Sequence, residues 1–335
     1  MGVFVFLPLI LPLTALPIAR LAEQHLHPCT AARLLTAVAA ILAVCSTVCL
    51  CLLVVVGTAQ LPGNPLPDSW SDPEVRAAVP GDEIAGKASI VALAGVVTAA
   101  SYALLRDHRY RSRAHRALAG LRTASEVAVL NDARPYAYAL PGRAGRGGRP
   151  RNGALRSPGG RAGAGRILVS TGMLAALTED ERHALFAHER AHLTGRHHRL
   201  LLLVRLAACA NPLLRPLRVA VGHCTERWAD EDAARATGDR RTTARAVAKA
   251  ALVASRTAPG HTVFSGLAAF AGAGPVPRRV AALLTPVPPA HGWPPALTRA
   301  GLAALMAAAG TAASTLSALN AAVGLFVVLR GAGLG

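Results

Sequence analysis

Long stretches of the chain lack charged residues, and arginine-rich segments separate them. Residues 34–59, 88–105 and 300–329 hold 26, 18 and 30 residues without a charge. About 20 apolar residues in a helix suffice to cross the hydrocarbon core of a bilayer. These stretches therefore predict three membrane-spanning helices, the last of them within the C-terminal segment 299–330.

A fourth uncharged stretch lies at residues 3–19, where Pro8, Pro12 and Pro17 interrupt it. Proline removes a backbone donor and bends a helix, so the pattern predicts a kinked crossing here. We expect residues 1–105 to form a membrane region that contains this span and the first two spans named above.

Charge placement predicts the orientation of the spans. The chain carries 36 basic and 18 acidic residues, a net charge of +18. Acidic residues dominate segment 60–86, whereas six arginines against one aspartate lie within 106–122. Cytoplasmic loops beside membrane spans are enriched in basic residues, so we place residues 106–298 in the cytoplasm. The same arginines lie within reach of anionic lipid head groups.

Composition narrows the class of protein. Hydrophobic residues make up 52% of the chain, which is too apolar for an ordinary soluble enzyme. The six cysteines lie mostly inside apolar stretches, where they behave as small hydrophobic side chains. We therefore expect a multi-pass protein of the cytoplasmic membrane without a disulfide framework.

One short motif carries metal chemistry. Thr178 and Glu181 have the spacing of a capping box, which predicts that a helix begins there. On that helix His188 and His192 lie four residues apart, so both imidazoles can bind one Zn²⁺ from the same face. Glu189 lies beside them as the base that takes a proton from water. The apolar residues around this HExxH sequence favour a buried site over a solvated helix.

A zinc site of this kind needs a third protein ligand, and the sequence offers two. His198 completes the pattern HExxHxxGxxH with Gly195, as in metzincins, but these enzymes also need a Met-turn. The only later methionine is Met306, inside a predicted span. The second route is a carboxylate on a later helix, where Glu226 and Asp230 share one face. We predict that Glu226 completes a site for one zinc per chain and that Asp230 orients a ligating histidine.

These motifs resemble those of the membrane-bound gluzincin peptidases of the HtpX and Ste24 type, together with the related bla-regulator membrane peptidases. Segment 188–192 is similar to the active-site helix of this group, and segment 226–230 to its ExxAD helix. Segment 166–174 is similar to the strand and turn before the active-site helix. The resemblance implies zinc, cleavage of internal peptide bonds in protein or peptide substrates, and a membrane setting.

The resemblance covers roughly residues 120–285. Residues 126–130 predict a strand, and residues 137–139 resemble the substrate-side edge strand of the group, with Tyr136 in place of its usual asparagine. Residues 277–284 resemble the helix that closes the domain. We therefore expect a mainly α membrane protein in which transmembrane helices flank a cytoplasmic α+β zincin-like metallopeptidase domain with a small β-sheet.

The sequence also predicts the character of two further segments, residues 200–224 and 141–166. Arginines and prolines interrupt residues 200–224, so we expect an amphipathic segment on the membrane surface and not a further crossing. Residues 141–166 hold seven arginines and many glycines, which predicts a disordered loop between two strands. The loop has no aromatic residue for base stacking, so nothing in it favours nucleic acid as a partner.

An alternative function is a non-catalytic or regulatory zinc-binding membrane signalling protein. The presence of Glu189 argues against it, because a site that only binds metal has no use for a base. The sequence indicates neither a particular substrate nor an oligomeric state. It leaves four candidates for the donor that stabilises the oxyanion: His197, His223, Arg227 and Arg235.

Overall fold

The structure is a computed structural model that describes residues 2–59, 82–119, 125–142, 165–256, 276–286 and 297–332. Contacts divide the chain into two compact units. The first contains residues 1–105, 202–221 and 290–335, and the second contains residues 106–201 and 222–289. Most of the predicted loop 141–166 and most of the acidic segment 60–86 lie outside the described residues.

Short helical segments form the N-terminus of the first unit. They are a 3-10 helix at Gly2–Val5, α1 at Leu7–Ile10, a 3-10 helix at Leu11–Thr14 and α2 at Ala15–His25. Pro8 and Pro12 each lie in the first turn of a new segment, where the missing N–H costs no helical hydrogen bond. The prolines thus divide the stretch predicted as one kinked helix, and a crossing at 3–19 stays a prediction.

Three long helices carry the other apolar stretches. They are α3 at Pro28–Thr58, α4 at Asp82–Ala119 and a C-terminal helix at Arg299–Ala332. Each includes a segment that is long and apolar enough to cross a membrane. Val91 and Leu105 of α4 are 74% and 54% exposed, as suits side chains that contact lipid.

The first unit has an apolar core. Cys45 and Cys49 of α3 pack in one cluster with Leu325 of the C-terminal helix. Gly57 and Gly86 meet so closely that a Cβ on Gly57 would lie 2.5 Å from the Gly86 backbone, so larger residues would force α3 and α4 apart. All six cysteines are free; Cys45, Cys49 and Cys224 are buried, whereas Cys51 is exposed.

A three-stranded sheet opens the second unit. Its strands are β1 at Val127–Leu130, β2 at Ala137–Leu140 and β3 at Arg166–Ser170. The central strand β3 pairs in parallel with β1 and antiparallel with β2. The three predicted strands are confirmed. In the part of the chain that the structure describes, β2 lies at an edge with no further strand beside it.

The predicted capping box starts the helix that carries the HExxH sequence. A short helix, α5 at Thr171–Ala176, leads into α6 at Glu179–Thr194. The Thr178 N–H donates to Glu181 Oε2 at 3.0 Å, and the Glu181 N–H donates to Thr178 Oγ1 at 3.4 Å. Acidic residues fill the first turn and complement the helix dipole. The local sequence therefore determines where α6 begins.

The remaining helices follow in short succession. They are α7 at His197–Ala210, α8 at Arg215–Thr237, α9 at Arg240–Arg256 and α10 at Val276–Leu284, with a 3-10 turn at Pro212–Leu214 before α8. The closing helix predicted at 277–284 is confirmed as α10.

The turn between α7 and α8 lies among the apolar helices of the first unit. Asn211 is buried, and its Nδ2 donates to Ser46 Oγ at 3.1 Å and to the Leu9 carbonyl at 3.0 Å. Ser46 is near the middle of α3. Protein partners thus satisfy the polar group of this turn. The expectation of an amphipathic segment on the membrane surface over 200–224 stays a prediction.

Candidate metal centre

His188 and His192 of α6 lie beside Glu226 of α8. One ligand atom from each falls within 4.8 Å of the others. His188 Nε2 is 3.1 Å from His192 Nε2 and 3.7 Å from Glu226 Oε2, and His192 Nε2 is 3.5 Å from Glu226 Oε1. Ligands about 2.0–2.1 Å from a tetrahedral zinc ion lie roughly 3.4 Å apart. The three groups therefore fit three corners of such a site.

Two features of this cluster call for a cation. Glu226 is buried, and its Oε1 accepts no hydrogen bond from the described residues. The His188 and His192 Nε2 atoms face each other, so their lone pairs repel when neither carries a proton. One metal ion bound by both imidazoles and the carboxylate removes both difficulties, and two nitrogens with one oxygen form a donor set that Zn²⁺ accepts.

Asp230, one turn after Glu226 on α8, lies against His188. Its Oδ1 is 3.0 Å from His188 Nδ1, and its side chain is buried. Burial alone would lower the pKa of His188, but the carboxylates of Asp230 and Glu226 outweigh burial and raise the pKa to about 10. Asp230 thus lies on the far side of one predicted ligand, as a carboxylate that orients a histidine should.

His197, at the start of α7, lies against the other predicted ligand. Its Nδ1 is 2.8 Å from His192 Nδ1, and its ring centroid is 4.4 Å from that of Trp228. Gly195 leaves space for this ring, since a Cβ there would lie 2.4 Å from His197 Nε2. Burial lowers the pKa of His192 to about 4 and that of His197 to about 3, so both rings are neutral at pH 7. Neutral imidazole is the form that binds zinc.

Arg279 of α10 pairs with both Glu226 and Asp230 of α8, and sequence reasoning missed it. Its Nε and Nη2 donate to Asp230 at 2.8 and 2.7 Å, and its Nη1 is 2.9 Å from Glu226 Oε2. Arg279 is buried, while its neighbour Arg278 is exposed. Two signals point to it: Arg279 shares a helical face with Leu283, and buried carboxylates need a cation.

Glu189 lines the same cavity as His188 and Glu226, a space of about 280 Å³. Burial raises the pKa of Glu189 to about 7, against the lowering effect of His188 and with added repulsion from Glu226. The backbone of Ala139, in the edge strand β2, hydrogen-bonds to this carboxyl. A carboxyl group with a pKa near neutrality can both take up and return a proton at pH 7.

Comparison with known families agrees with this geometry. Residues 157–216 match the family described as peptidase family M48. The match supports the M48 metallopeptidase family. It includes the HExxH sequence and ends before Glu226, and it does not distinguish the HtpX, Ste24 or bla-regulator type. No curated protein and no solved structure matches the chain.

M48 peptidases are zinc-dependent. The geometry does not support the metzincin alternative, in which His198 would be the third ligand. His198 does not belong to the group of described residues that could hold a metal ion. Burial and the neighbouring Arg111 lower the pKa of His198 to about 4. Gly195 has a helical φ of −71°, so it is not the residue that turns the chain after α6. Arg196 adopts the left-handed conformation at this turn, with a φ of 51°.

The four candidate oxyanion donors divide by position. None of them lines the cavity among the described residues. His197 instead contacts His192, and Arg235 pairs at the surface with Asp232 at 2.8 Å. His223 and Arg227 are partly buried on α8.

Proposed function

We propose that the chain is a membrane-embedded, zinc-dependent metalloendopeptidase that hydrolyses internal peptide bonds of protein substrates from the cytoplasmic side. The observation that carries the proposal is the spacing of His188, His192 and Glu226 around one point, with Glu189 in the same cavity. Membrane protein quality control and regulated proteolysis are the processes that suit such an enzyme.

Each residue of the cluster has a distinct task in this proposal. Zinc, when bound, supplies a Lewis acid that polarises the scissile carbonyl and lowers the pKa of water. His188, His192 and Glu226 hold it, while Asp230 fixes the ring of His188. Glu189 takes the proton of the attacking water and passes it to the leaving amine, a task suited to a carboxyl group with a pKa of about 7.

The edge strand β2 offers a place for the substrate backbone. Tyr136, Ala137 and Tyr138 line the cavity that Glu189 lines. An extended peptide can add to an exposed sheet edge through main-chain hydrogen bonds. A substrate paired with β2 then passes beside the metal cluster with its scissile bond held close to Glu189.

Metal content is the first test. We expect about one zinc per chain in detergent-purified wild type, loss of zinc in Glu226→Ala, and wild-type zinc in His198→Ala. If His198→Ala loses zinc and Glu226→Ala keeps it, His198 is the third ligand, as in metzincins.

Turnover is the second test. Glu189→Gln should keep its zinc and cleave unfolded casein about 10²–10⁴-fold more slowly, because the base is lost and the ligands remain. Equal proteolysis by wild type and Glu189→Gln contradicts the peptidase mechanism. Zinc without proteolysis in both proteins favours the regulatory alternative.

A further inference from the structure

The cavity beside the metal cluster is lined by a few charged residues and by a larger apolar wall. Its charged lining residues are Glu189, Glu226 and Arg279, at or next to the metal-binding group. The other lining residues in the described structure have uncharged side chains, apart from the imidazole of His188. Most of that uncharged wall comes from α9, with Met173 and Leu185 beside it.

Helix α9 presents one face to the cavity. The lining residues recur every three or four positions, which is the spacing of a single helical face. Four of the six are alanine, so the wall is recessed where larger side chains would fill it. The six α9 residues that line the cavity are Thr243, Ala246, Val247, Ala250, Ala251 and Ala254.

The cations of α9 lie off this face. Lys249 pairs with Glu181 at 2.8 Å, and Arg245 donates to Thr242 Oγ1 at 3.0 Å. Arg279 is already bound to Glu226 and Asp230 of α8. A charged substrate side chain against the apolar wall would therefore find no free charged partner among the described lining residues, which is unfavourable.

A peptide on the edge of β2 reaches this wall. The lining includes Ala137 and Tyr138 of β2, so both the strand and α9 border one space. Side chains of an extended peptide alternate between the two faces, and one next to the bond at the metal cluster faces the cavity. An apolar side chain there gains hydrophobic burial and fills the space that the alanines leave.

We propose that the α9 face, with Met173 and Leu185, forms a specificity pocket for a large apolar side chain, the size of leucine or phenylalanine, next to the scissile bond. This inference rests on the proposed function and adds the class of substrate to it. Segments of unfolded or membrane proteins that carry bulky apolar residues are the peptides that fit.

A binding measurement tests the pocket without turnover. Five hydroxamates are titrated calorimetrically into zinc-loaded protein. They carry a hydrogen, isobutyl, benzyl, carboxyethyl or aminobutyl group on the carbon next to the hydroxamate. We expect the isobutyl and benzyl compounds to bind at least about tenfold more tightly than the other three. Equal affinities, or tighter binding of a charged compound, overturn the pocket.

Two substitutions narrow the pocket in different places. Ala250→Phe fills it directly, and Ala254→Phe fills its exposed mouth and serves if the first variant does not fold. Each should abolish the preference for isobutyl and benzyl and leave the hydrogen compound unaffected. Leu252→Phe, at a 51% exposed position outside the lining, is the matched control and should keep the wild-type ranking. A wild-type ranking in both filling variants refutes the role of α9.

The proposed function can fail separately from the pocket. A zinc-loaded protein that ranks the compounds as expected, yet cleaves casein equally with and without Glu189, contradicts the peptidase mechanism and leaves the pocket intact. If the chain is a zinc peptidase that binds all five compounds with equal affinity, only the proposal of the pocket is contradicted. A chain that takes up no zinc contradicts both.

Discussion

His188 and His192 lie one turn apart on α6, yet the regions behind them differ in kind. Behind His188 are the carboxylates of α8 and the guanidinium of Arg279, a network of full charges. Behind His192 is the neutral ring of His197, which packs against an indole. The pKa values follow this division: that of His188 is raised to about 10, and that of His192 is lowered to about 4.

The difference illustrates two ways to position a buried histidine. A carboxylate fixes the ring strongly but must itself be paired in the interior, which is the task of Arg279. A neutral imidazole acceptor needs no counter-charge, but its hydrogen bond is weaker. Removing groups from the charged side should therefore cost more than removing them from the neutral side.

Removal of the shared cation should have the largest effect. Arg279→Leu removes the guanidinium that pairs with Glu226 and Asp230, whose side chains stay buried at 5% and 2% exposure. Loss of one member of a buried ion pair costs about 3–5 kcal/mol. We expect a loss of this size in the free energy of unfolding, measured by denaturant titration in detergent on the metal-free protein.

Arg278→Leu is the matched control for Arg279→Leu, because Arg278 is the exposed neighbour on the same helix. It should change stability little, as surface substitutions usually do. Excess zinc should restore part of the stability of Arg279→Leu by supplying another cation to Glu226. Equal losses in the two variants would show that Arg279 does not hold the carboxylates.

The sequence predicts the α6 side of this comparison well. The capping box and the HExxH spacing are local patterns, and local backbone chemistry places both imidazoles on one face. Glu226 and Asp230 also follow from the sequence, because few acidic residues remain after His192 and these two share a helical face.

The supporting groups could not be predicted in the same way. Arg279 lies 49 residues from Asp230, and nothing local separates it from Arg278 except the phase of α10. His197 and His198 are adjacent histidines, and only the turn at Arg196 decides which one reaches His192. The contacts of Asn211 could not be predicted for a similar reason, since its partners Ser46 and Leu9 are remote in sequence.

A paired substitution sharpens the comparison of the two histidines. Asp230→Asn should weaken zinc binding about 10–100-fold, the usual effect of losing a carboxylate behind a ligating histidine. His197→Phe should weaken it by about tenfold at most, because the lost acceptor is neutral. Competition against a chelating dye on the folded protein measures both affinities.

The neutral side has its own controls. His197→Gln retains an acceptor within reach of His192 and should recover most of the affinity that His197→Phe loses, which a purely packing role for His197 would not predict. His198→Phe removes the adjacent ring that lies outside the metal-binding group and should bind zinc as wild type does. A larger loss in His197→Phe than in Asp230→Asn would reverse the ranking of the two sides.

Glu181, at the start of α6, pairs with Lys249 at a distance from the two histidines. This pair tests whether charge at one end of the helix acts independently of charge at the other end. Glu181 is 2% exposed and bonds to Lys249 Nζ at 2.9 Å and to the Thr178 N–H at 3.0 Å. Burial raises the pKa of Glu181, but these hydrogen bonds outweigh it and hold the pKa below its ordinary value of 4.5.

This carboxylate should make the smallest contribution, and one that depends on pH. A depressed pKa stabilises the fold above pH 4.5, and the contribution is lost as the pH falls through the lower value of the folded protein. Glu181→Gln should therefore melt a few degrees below wild type at pH 7, with the gap closing below pH 4.5. Glu179→Gln, an exposed neighbour in the same turn, is the control and should show no such convergence in circular dichroism melts. A gap that persists unchanged at pH 3 would mean that Glu181 acts through its shape and not through its charge.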